Sequence, residues 1–156
     1  MKAAVLGSPI EHSKSPLLHQ AAYAALGLPW VYERHEVQAG ELPGFMRAHA
    51  GEYKGLSLTM PLKEAAFAVA STVTPVAVLA RSINTLVRGA GFEAHNTDGV
   101  GLLRDFQRLA IPLKDVFVLI IGAGGATRGI LAPLMKAGAR ITLVNRTESR
   151  AQALVE

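Results

Sequence analysis

The sequence contains no cysteine among its 156 residues, which excludes disulfide bonds and metal sites built from thiolates. It also has no apolar run near the roughly 20 residues that a membrane-spanning helix needs, so no membrane partner is expected. The short apolar run at the N-terminus is interrupted at Gly7 and Pro9, which is too early for a signal peptide. A cytoplasmic location is therefore the default expectation.

Runs of like charge and clusters of histidine are missing as well. The net charge is +4, but the 16 Lys and Arg residues are scattered, so nucleic acid is not favoured as a partner. This balance indicates only a mild preference for anionic ligands. The five histidines show neither HxxxH nor HxH spacing, which argues against a metal site.

Strand-like and helix-like patterns alternate along the chain, which predicts an α/β fold. Ser15 is expected to be the N-cap of the first helix, and Pro75 to lie in a turn region. The apolar runs on either side of residues 89 to 91 predict a β-hairpin. A break in the pattern near residues 98 to 115 indicates two domains.

A glycine-rich turn follows an apolar run late in the chain. The run VFVLIIG predicts a parallel strand buried on both faces, and the turn GAGGATRG follows it directly. Gly122 is expected to make the tight turn, and Gly124 to let a pyrophosphate approach the N-terminus of the next helix. Thr127 holds the sixth position, where the dinucleotide-binding pattern usually has Gly or Ala, so the match is partial. Such turns also serve plain packing, but this context favours a nucleotide.

The strand after the glycine turn bears on the choice of nucleotide. It ends in Asn145, followed by Arg146 and Arg150, and lacks the acid that usually binds the ribose of NAD. A guanidinium group binds a 2′-phosphate that a carboxylate would repel, so the pattern favours NADP. The alternative is that both arginines only solvate a helix start. The residues from Asp115 onward suffice for half of a dinucleotide-binding domain, so the chain is expected to be the front part of a longer protein.

Six polar residues fall at the ends of predicted strands or the starts of predicted helices: Ser13, Ser15, Thr59, Lys63, Asn84 and Asp98. The two serines suit a carboxylate or a phosphate. Lys63 stands in the first turn of a helix predicted from Pro61, where the helix dipole disfavours a cation. Each residue alone has a structural explanation, such as an N-cap or a turn. Open α/β sheets, however, bind ligands beyond the carboxyl ends of their strands, where Ser13, Thr59 and Lys63 are expected.

Six stretches in this order make the sequence resemble the shikimate dehydrogenases, NADP-dependent enzymes of aromatic amino-acid and chorismate biosynthesis: GSPIEHSKSP, LTMPLKEAAFA, INTL, NTDGVGLL, IGAGGATRG and NRTESRA. The resemblance implies an α/β substrate-binding domain over residues 1–100 and the first part of a Rossmann-type NADP-binding domain over residues 101–156. It implies reversible reduction of 3-dehydroshikimate to shikimate, a small-molecule partner, and a monomer or homodimer. A non-catalytic NADP- or shikimate-binding fragment and a dehydrogenase that also accepts quinate are the alternatives.

The resemblance also assigns roles to individual residues. Lys63 becomes the catalytic acid/base, paired with Asp98. The substrate carboxylate is assigned to Ser13 and Ser15, and the ring hydroxyls to Thr59, Asn84 and Asp98. The cofactor's pyrophosphate is assigned to Gly122, Ala123, Gly124, Gly125 and Ala126, and its 2′-phosphate side to Asn145, Arg146, Thr147 and Arg150. Two positions depart from the family's usual pattern: Ser57 replaces an asparagine, which is expected to loosen local hydrogen bonding, and Pro75 replaces an acidic residue.

Overall fold

The computed structural model describes residues 1–154, which form two compact units. The first unit contains Met1–Thr74 and Ile83–His95, and the second contains Pro75–Ser82 and the chain from Asn96 onward. After Pro75–Ser82, the chain returns to the first unit for the segment Ile83–His95, and from Asn96 onward it belongs to the second unit. The functional boundary predicted at residue 100 stays a prediction, and residues 155 and 156 of its second range lie outside the described residues.

The first unit is built around a mixed six-stranded sheet. Its strands are β1 (Lys2–Gly7), β2 (Val31–Glu36), β3 (Tyr53–Leu58), β4 (Thr72–Val73), β5 (Thr85–Arg88) and β6 (Phe92–His95). Its helices are α1 (Ser15–Ala25), α2 (Leu42–His49) and α3 (Leu62–Ala65), with 3-10 turns at Ala39–Glu41, Ala50–Glu52 and Ala66–Ala68. The strand order is β2-β1-β3-β5-β6-β4. Strand β1 is parallel to β2 and β3, whereas β5 is antiparallel to β3 and β6.

Strand β1 is the centre of the parallel part of this sheet and is buried along almost its whole length. A strand covered on both faces needs a continuous apolar run, which the sequence AAVL supplies. On one face, Ala3 and Val5 pack with Ile10, Tyr32 and the partly buried Tyr23 of α1. This packing fixes the position of β1, from which the loop toward α1 leaves.

The second unit contains a strand–helix–strand arrangement with further helices. Its elements are α4 (Pro75–Ala80), α5 (Asp98–Arg108), β7 (Phe117–Ile121), α6 (Gly125–Lys136), β8 (Arg140–Val144) and α7 (Glu148–Gln152). Strands β7 and β8 are parallel and are joined through α6. This is the first part of a Rossmann-type domain, so the predicted α/β fold is confirmed. Among residues 1–154, no helix has the length and apolarity to cross a membrane.

The prediction that β7 is buried on both faces is wrong. Ile120 is 8% exposed and packs with Leu131 and Leu134 of α6. Phe117 and Ile121, which alternate with it along the strand, are 75% and 81% exposed. Side chains alternate between the two faces of a strand, and only one face of β7 joins the core of this unit. An apolar run shows that both faces of a strand can be buried, but it does not show that both faces are covered.

Two predicted helix starts also need correction. Ser15 is the first residue of α1, and Lys14 is the N-cap. The Ser15 N–H donates to Oγ of Ser13 at 3.3 Å. Ser13 therefore provides an acceptor for one of the N–H groups that have no partner within the helix. Pro75 begins α4 instead of lying in a turn, because a proline at the first helical position needs no N–H.

The hairpin prediction is confirmed, and one predicted helix is shorter than expected. Strands β5 and β6 are antiparallel, with Arg88 paired to Phe92 beside the predicted turn. The helix predicted from Pro61 is a four-residue helix, Leu62–Ala65, followed by a 3-10 turn. Local turn signals were therefore more informative here than the helical pattern.

A cluster of charged and polar side chains joins β1, β2 and β3. The Tyr53 hydroxyl donates to Oε2 of Glu33 at 2.7 Å, and Nζ of Lys2 lies 3.1 Å from Oε1 of the same carboxylate. Nε2 of His35 lies 2.8 Å from the Tyr53 hydroxyl. The Tyr53 hydrogen bond lowers the pKa of Glu33, and Lys2 adds to this effect. Burial, followed by the Glu33 hydrogen bond, raises the pKa of Tyr53.

The substitution Tyr53→Phe is expected to lower the free energy of unfolding at neutral pH by about 1.5 kcal/mol, because it removes a hydrogen bond to a charged group. The pKa of Glu33 is lower in the folded chain than its ordinary value of 4.5, so the unfolded chain binds more protons in acid. This stabilisation is present above the ordinary pKa and is lost as the pH falls through the folded one. The variant should lose part of that pH dependence.

Urea unfolding followed by circular dichroism, at about pH 7 and about pH 3.5, measures both effects. Tyr23→Phe is the matched control, because the Tyr23 hydroxyl makes no hydrogen bond with any residue from 1 to 154. Equal stability of the two variants, with unchanged acid profiles, would show that the Tyr53–Glu33 hydrogen bond contributes nothing.

Candidate functional site

Most of the predicted substrate residues lie on segments that leave or enter the first sheet at one edge. The carboxyl ends of β1 and β3 lie side by side, because these strands are parallel neighbours. Ser13 and Ser15 follow β1, and Thr59 and Lys63 follow β3. Asn84 precedes β5, which starts at the same edge because it runs antiparallel to β3. The topology thus serves the rule that ligands bind beyond the carboxyl ends of parallel strands.

Backbone hydrogen bonds continue past the strand ends and fix this edge. The Thr59 N–H donates to the Leu6 carbonyl at 3.0 Å, and the Ser8 N–H donates to the Met60 carbonyl at 2.9 Å. The Leu62 N–H donates in turn to the Thr59 carbonyl at 2.8 Å. The loop that leads to Ser13 and the segment that carries Thr59 are therefore tied directly to each other.

Lys63 and Asn84 are anchored in the same way. The Lys63 carbonyl accepts a hydrogen bond from the Ile83 N–H at 2.8 Å, and the Asn84 carbonyl accepts one from the Leu58 N–H at 2.8 Å. The Thr85 hydroxyl donates to Oδ1 of Asn84 at 2.9 Å. Both side chains therefore start from backbone positions that the sheet holds.

The electrostatic reason given for Lys63 needs correction. Helix α3 has only four residues, whereas the macrodipole sums aligned peptide dipoles over several turns. A lysine in so short a helix is not a strongly disfavoured cation. The position of Lys63 at the sheet edge, and not the helix dipole, is what makes it a candidate.

Ser57 makes a side-chain hydrogen bond of its own, and the expectation that it loosens local hydrogen bonding relative to asparagine stays a prediction. Oγ of Ser57 accepts a hydrogen bond of 2.7 Å from the Tyr32 hydroxyl. Tyr32 is 3% exposed, and the His19 ring stacks on it with 4.0 Å between centroids. Burial raises the pKa of the Tyr32 phenol, which keeps it a donor. Ser57 is therefore held by a buried partner across the sheet.

Asp98, the sixth predicted substrate residue, belongs to the second unit. It is the first residue of α5, and Thr97 is the N-cap of this helix. The Asp98 N–H donates to Oδ1 of Asn96 at 3.0 Å, and Nδ2 of Asn96 donates to the Ser82 carbonyl at 2.9 Å. Sequence reasoning missed Asn96 and Ser82. Two signals were available in the sequence. Asn96 lies two positions before the predicted site residue Asp98, and Ser82 is a polar residue directly before the apolar Ile83.

The glycine turn has the geometry expected of an anion site. Gly122 has a φ of +110°, which confirms the predicted tight turn. No atom lies within 4 Å of the place where a Cβ on Gly124 would stand. Gly124 is the N-cap of the 12-residue helix α6, whose first turn carries no acidic residue. The first backbone N–H groups of a helix have no partner within the helix, and such groups suit a phosphate. The Thr127 hydroxyl closes the turn by donating to the Gly122 carbonyl at 2.7 Å.

The end of β8 is attached to this turn through Asn145. Its Oδ1 accepts a hydrogen bond from the Ala123 N–H at 3.1 Å, and its Nδ2 donates to the Thr147 carbonyl at 2.7 Å. Arg146 and Arg150 follow and are exposed. Both amide atoms of Asn145 thus hold protein groups, whereas the two guanidinium groups remain accessible to an anion.

Two family models match the sequence. One, described as the shikimate dehydrogenase substrate binding domain, matches residues 5–86. The chain belongs to the shikimate dehydrogenase family. A second family model, described as shikimate/quinate 5-dehydrogenase, matches residues 105–156. The resemblance inferred from the sequence motifs is therefore confirmed.

Solved shikimate dehydrogenases have the same fold as this chain. The Thermus thermophilus enzyme in complex with NADP(H) and shikimate is 38% identical, with a TM-score of 0.92, and the match covers 99% of this chain and 59% of that one. The Mycobacterium fortuitum enzyme is 47% identical, with a TM-score of 0.82 and coverage of 99% and 57%. The Listeria monocytogenes enzyme in complex with shikimate and NAD is 30% identical, with a TM-score of 0.88 and coverage of 99% and 55%. The chain thus spans less than two thirds of each of these family members.

Gly7 sets the distance between β1 and the Thr59 segment. A Cβ on Gly7 would lie 2.8 Å from the Met60 carbonyl oxygen and closer still to the Thr59 methyl group. Gly7→Ala is therefore expected to lower the free energy of unfolding by about 2 kcal/mol, as overpacking does. It should also shift the Thr59 amide resonance, because the Thr59 N–H is hydrogen bonded to β1.

Urea unfolding and ¹⁵N-correlated NMR spectra of Gly7→Ala measure these effects. The matched control is Gly40→Ala, because no atom lies within 4 Å of a Cβ placed on Gly40. The control should change stability by less than about 0.5 kcal/mol. If both variants are equally stable, the close approach at Gly7 does not constrain the sheet edge.

Proposed function

We propose that this chain provides the substrate site and part of the cofactor site of an NADP-dependent shikimate dehydrogenase, which reversibly reduces 3-dehydroshikimate to shikimate. The observation that supports this most is the arrangement of Ser13, Ser15, Thr59, Lys63 and Asn84 on segments at one sheet edge. A related enzyme with the same fold has been solved with shikimate and NADP(H) bound.

The chemistry of the substrate fits these groups. Shikimate carries one carboxylate and several ring hydroxyls. Ser13 and Ser15, with the backbone N–H groups at the start of α1, supply donors for the carboxylate. Thr59 and Asn84 can donate to and accept from ring hydroxyls, and the Asp98 carboxylate accepts from them. Each polar group of the substrate thus has a complementary group in the proposed site.

In the proposed reaction, Lys63 moves the proton. When bound, NADPH supplies a hydride to the carbonyl carbon of 3-dehydroshikimate. The Lys63 ammonium donates a proton to the oxygen that becomes negative as this happens, and the amine takes the proton back in the reverse direction. In this proposal the Asp98 carboxylate accepts a hydrogen bond from the substrate hydroxyl and orients it.

The cofactor assignment rests on the glycine turn and on Arg146 and Arg150. The open N-terminus of α6 receives the pyrophosphate, and residues 122–126 form this cradle. The exposed guanidinium groups of Arg146 and Arg150, together with the adjoining Asn145 and Thr147, form the side that meets the 2′-phosphate of NADP. Since the Listeria relative was solved with NAD, the preference between the two cofactors is the point to test.

Lys63→Ala, made in the protein that carries this chain, is expected to lower turnover of shikimate at least about a hundredfold, the lower end of acid/base contributions. Steady-state kcat measurements test this. Lys54→Ala is the matched control, because Lys54 is an exposed lysine within β3, away from the sheet edge. Near-normal turnover of the Lys63 variant would remove this residue from the mechanism.

Replacing both Arg146 and Arg150 by serine is expected to reduce the preference for NADP over NAD by about a hundredfold, because two charge-assisted hydrogen-bond partners of the 2′-phosphate are lost. The ratio of kcat/KM for the two cofactors measures this. Arg140→Ser is the control, since Arg140 is exposed at the start of β8 and pairs with Asp115 at 3.5 Å. An unchanged ratio in the double variant contradicts the assignment.

A dehydrogenase that accepts quinate is the nearest alternative, because the second family model names quinate beside shikimate. The ratio of kcat/KM for shikimate and quinate distinguishes the two. Isothermal titration of the 156-residue chain with shikimate and NADP, beside a turnover assay, distinguishes an active enzyme from a binding module.

A further inference from the structure

A largely buried chain of three hydrogen bonds, one buried and two partly buried, runs from Gly125 at the glycine turn to Asp98 within the second unit. The Ser82 hydroxyl donates to the Gly125 carbonyl at 2.8 Å. The Ser82 carbonyl accepts from Nδ2 of Asn96 at 2.9 Å, and Oδ1 of Asn96 accepts from the Asp98 N–H at 3.0 Å. We call Ser82 and Asn96 the bracket. They connect the predicted cofactor turn with a predicted substrate residue.

The bracket supplies two of the three buried polar residues found within residues 1–154. Within residues 1–154, the buried polar or charged residues are Ser82, Asn96 and Thr127, at 0%, 5% and 7% exposure. Thr127 closes the glycine turn, so the hydrogen bonds of all three lie at this turn or between it and Asp98. Burying a polar group costs free energy unless its hydrogen bonds are made, and an apolar residue would avoid the cost. The concentration of such groups here indicates that their geometry is needed.

Two glycines allow helices α5 and α6 to approach each other and the bracket closely. A Cβ on Gly129 of α6 would lie 2.8 Å from Oδ1 of Asn96 and 2.9 Å from Cβ of Asp98. A Cβ on Gly99 of α5 would lie 2.7 Å from the Gly129 carbonyl oxygen. Asn96 and Asp98 therefore lie close against the backbone of α6, the helix that begins at the glycine turn.

We propose that Ser82 and Asn96 are positioning residues that couple occupation of the glycine turn to the position of Asp98. This rests on the proposed function, in which the cofactor lies at residues 122–126 and Asp98 contacts the substrate. A pyrophosphate that orders the turn fixes the Gly125 carbonyl, and the bracket carries this order to the Asp98 N–H. Through the bracket, the pyrophosphate end of the cofactor therefore tightens substrate binding without itself touching the substrate.

The coupling is measured with 2′-phospho-ADP-ribose, which has the pyrophosphate and the 2′-phosphate of NADP but no nicotinamide ring to touch the substrate. Isothermal titration gives the Kd of shikimate for the 156-residue chain with and without a saturating amount of this compound. We expect the compound to lower the Kd about fivefold, the weaker end of known couplings. A ratio of one in the wild-type chain overturns the proposal.

Ser82→Ala removes the hydroxyl that holds Gly125 but leaves the carbonyl that holds Asn96. Shikimate alone should then bind within about twofold of the wild-type Kd, while the coupling falls below about twofold. Ser71→Ala is the matched control, because the Ser71 hydroxyl holds the Phe92 N–H at 3.2 Å in the first unit. The control keeps the wild-type coupling. A folded Ser82→Ala variant with the wild-type coupling overturns the proposal.

Amide hydrogen exchange of the wild-type chain provides a second test that needs neither a variant nor shikimate. The Asp98 N–H is bound to Asn96, so its exchange rate reports that bond directly. We expect 2′-phospho-ADP-ribose to slow this exchange about fivefold, in proportion to the expected coupling. Unchanged exchange with the compound bound overturns the inference alone. If the wild-type chain does not bind shikimate, the proposed function is contradicted. If it does not bind 2′-phospho-ADP-ribose, both the proposed cofactor site and the coupling are contradicted.

Discussion

The first unit depends on the close approach of the end of β1 to the segment that follows β3. Parallel neighbours place their carboxyl ends together, and the absence of a side chain on Gly7 lets the Thr59 methyl group and the Met60 carbonyl come against the backbone. The hydrogen bond from Thr59 to Leu6 then extends the ladder beyond the strand. The loop toward Ser13 and the segment with Lys63 both take their positions from this contact.

In the second unit, glycines also allow a close approach, but here between two helices. Gly99 and Gly129 allow α5 and α6 to cross closely, but the space gained at Gly129 is filled by the Asn96 amide and the Cβ of Asp98. Apolar packing would tolerate small displacements there, whereas a buried amide keeps its hydrogen bonds only in one geometry. The close crossing therefore fixes a polar group in place as well as burying area.

What could be predicted from the sequence was local. The hairpin around residues 89 to 91 and the turn at Gly122 depend on residues a few positions apart, and both are present. The Ser82 contacts join residues 14 and 43 positions apart, and no periodicity reports them. The exposed face of β7 was missed because hydropathy shows what a strand tolerates, not what covers it. The shift of the N-cap of α1 by one residue, from the expected Ser15 to Lys14, reflects the usual uncertainty of helix ends.

The fold contributes position to Lys63, not a helix dipole. A long flexible side chain that must reach one atom loses conformational freedom, and this cost is smaller when its backbone is already fixed. The Lys63 carbonyl holds the Ile83 N–H, and the neighbouring Leu62 is 0% exposed. Proton transfer requires hydrogen-bond reach before it requires a matched acidity. The hydrogen bond that anchors the Lys63 backbone at the sheet edge therefore lowers the entropic cost of placing its side chain, and this is what the fold contributes to the proposed role.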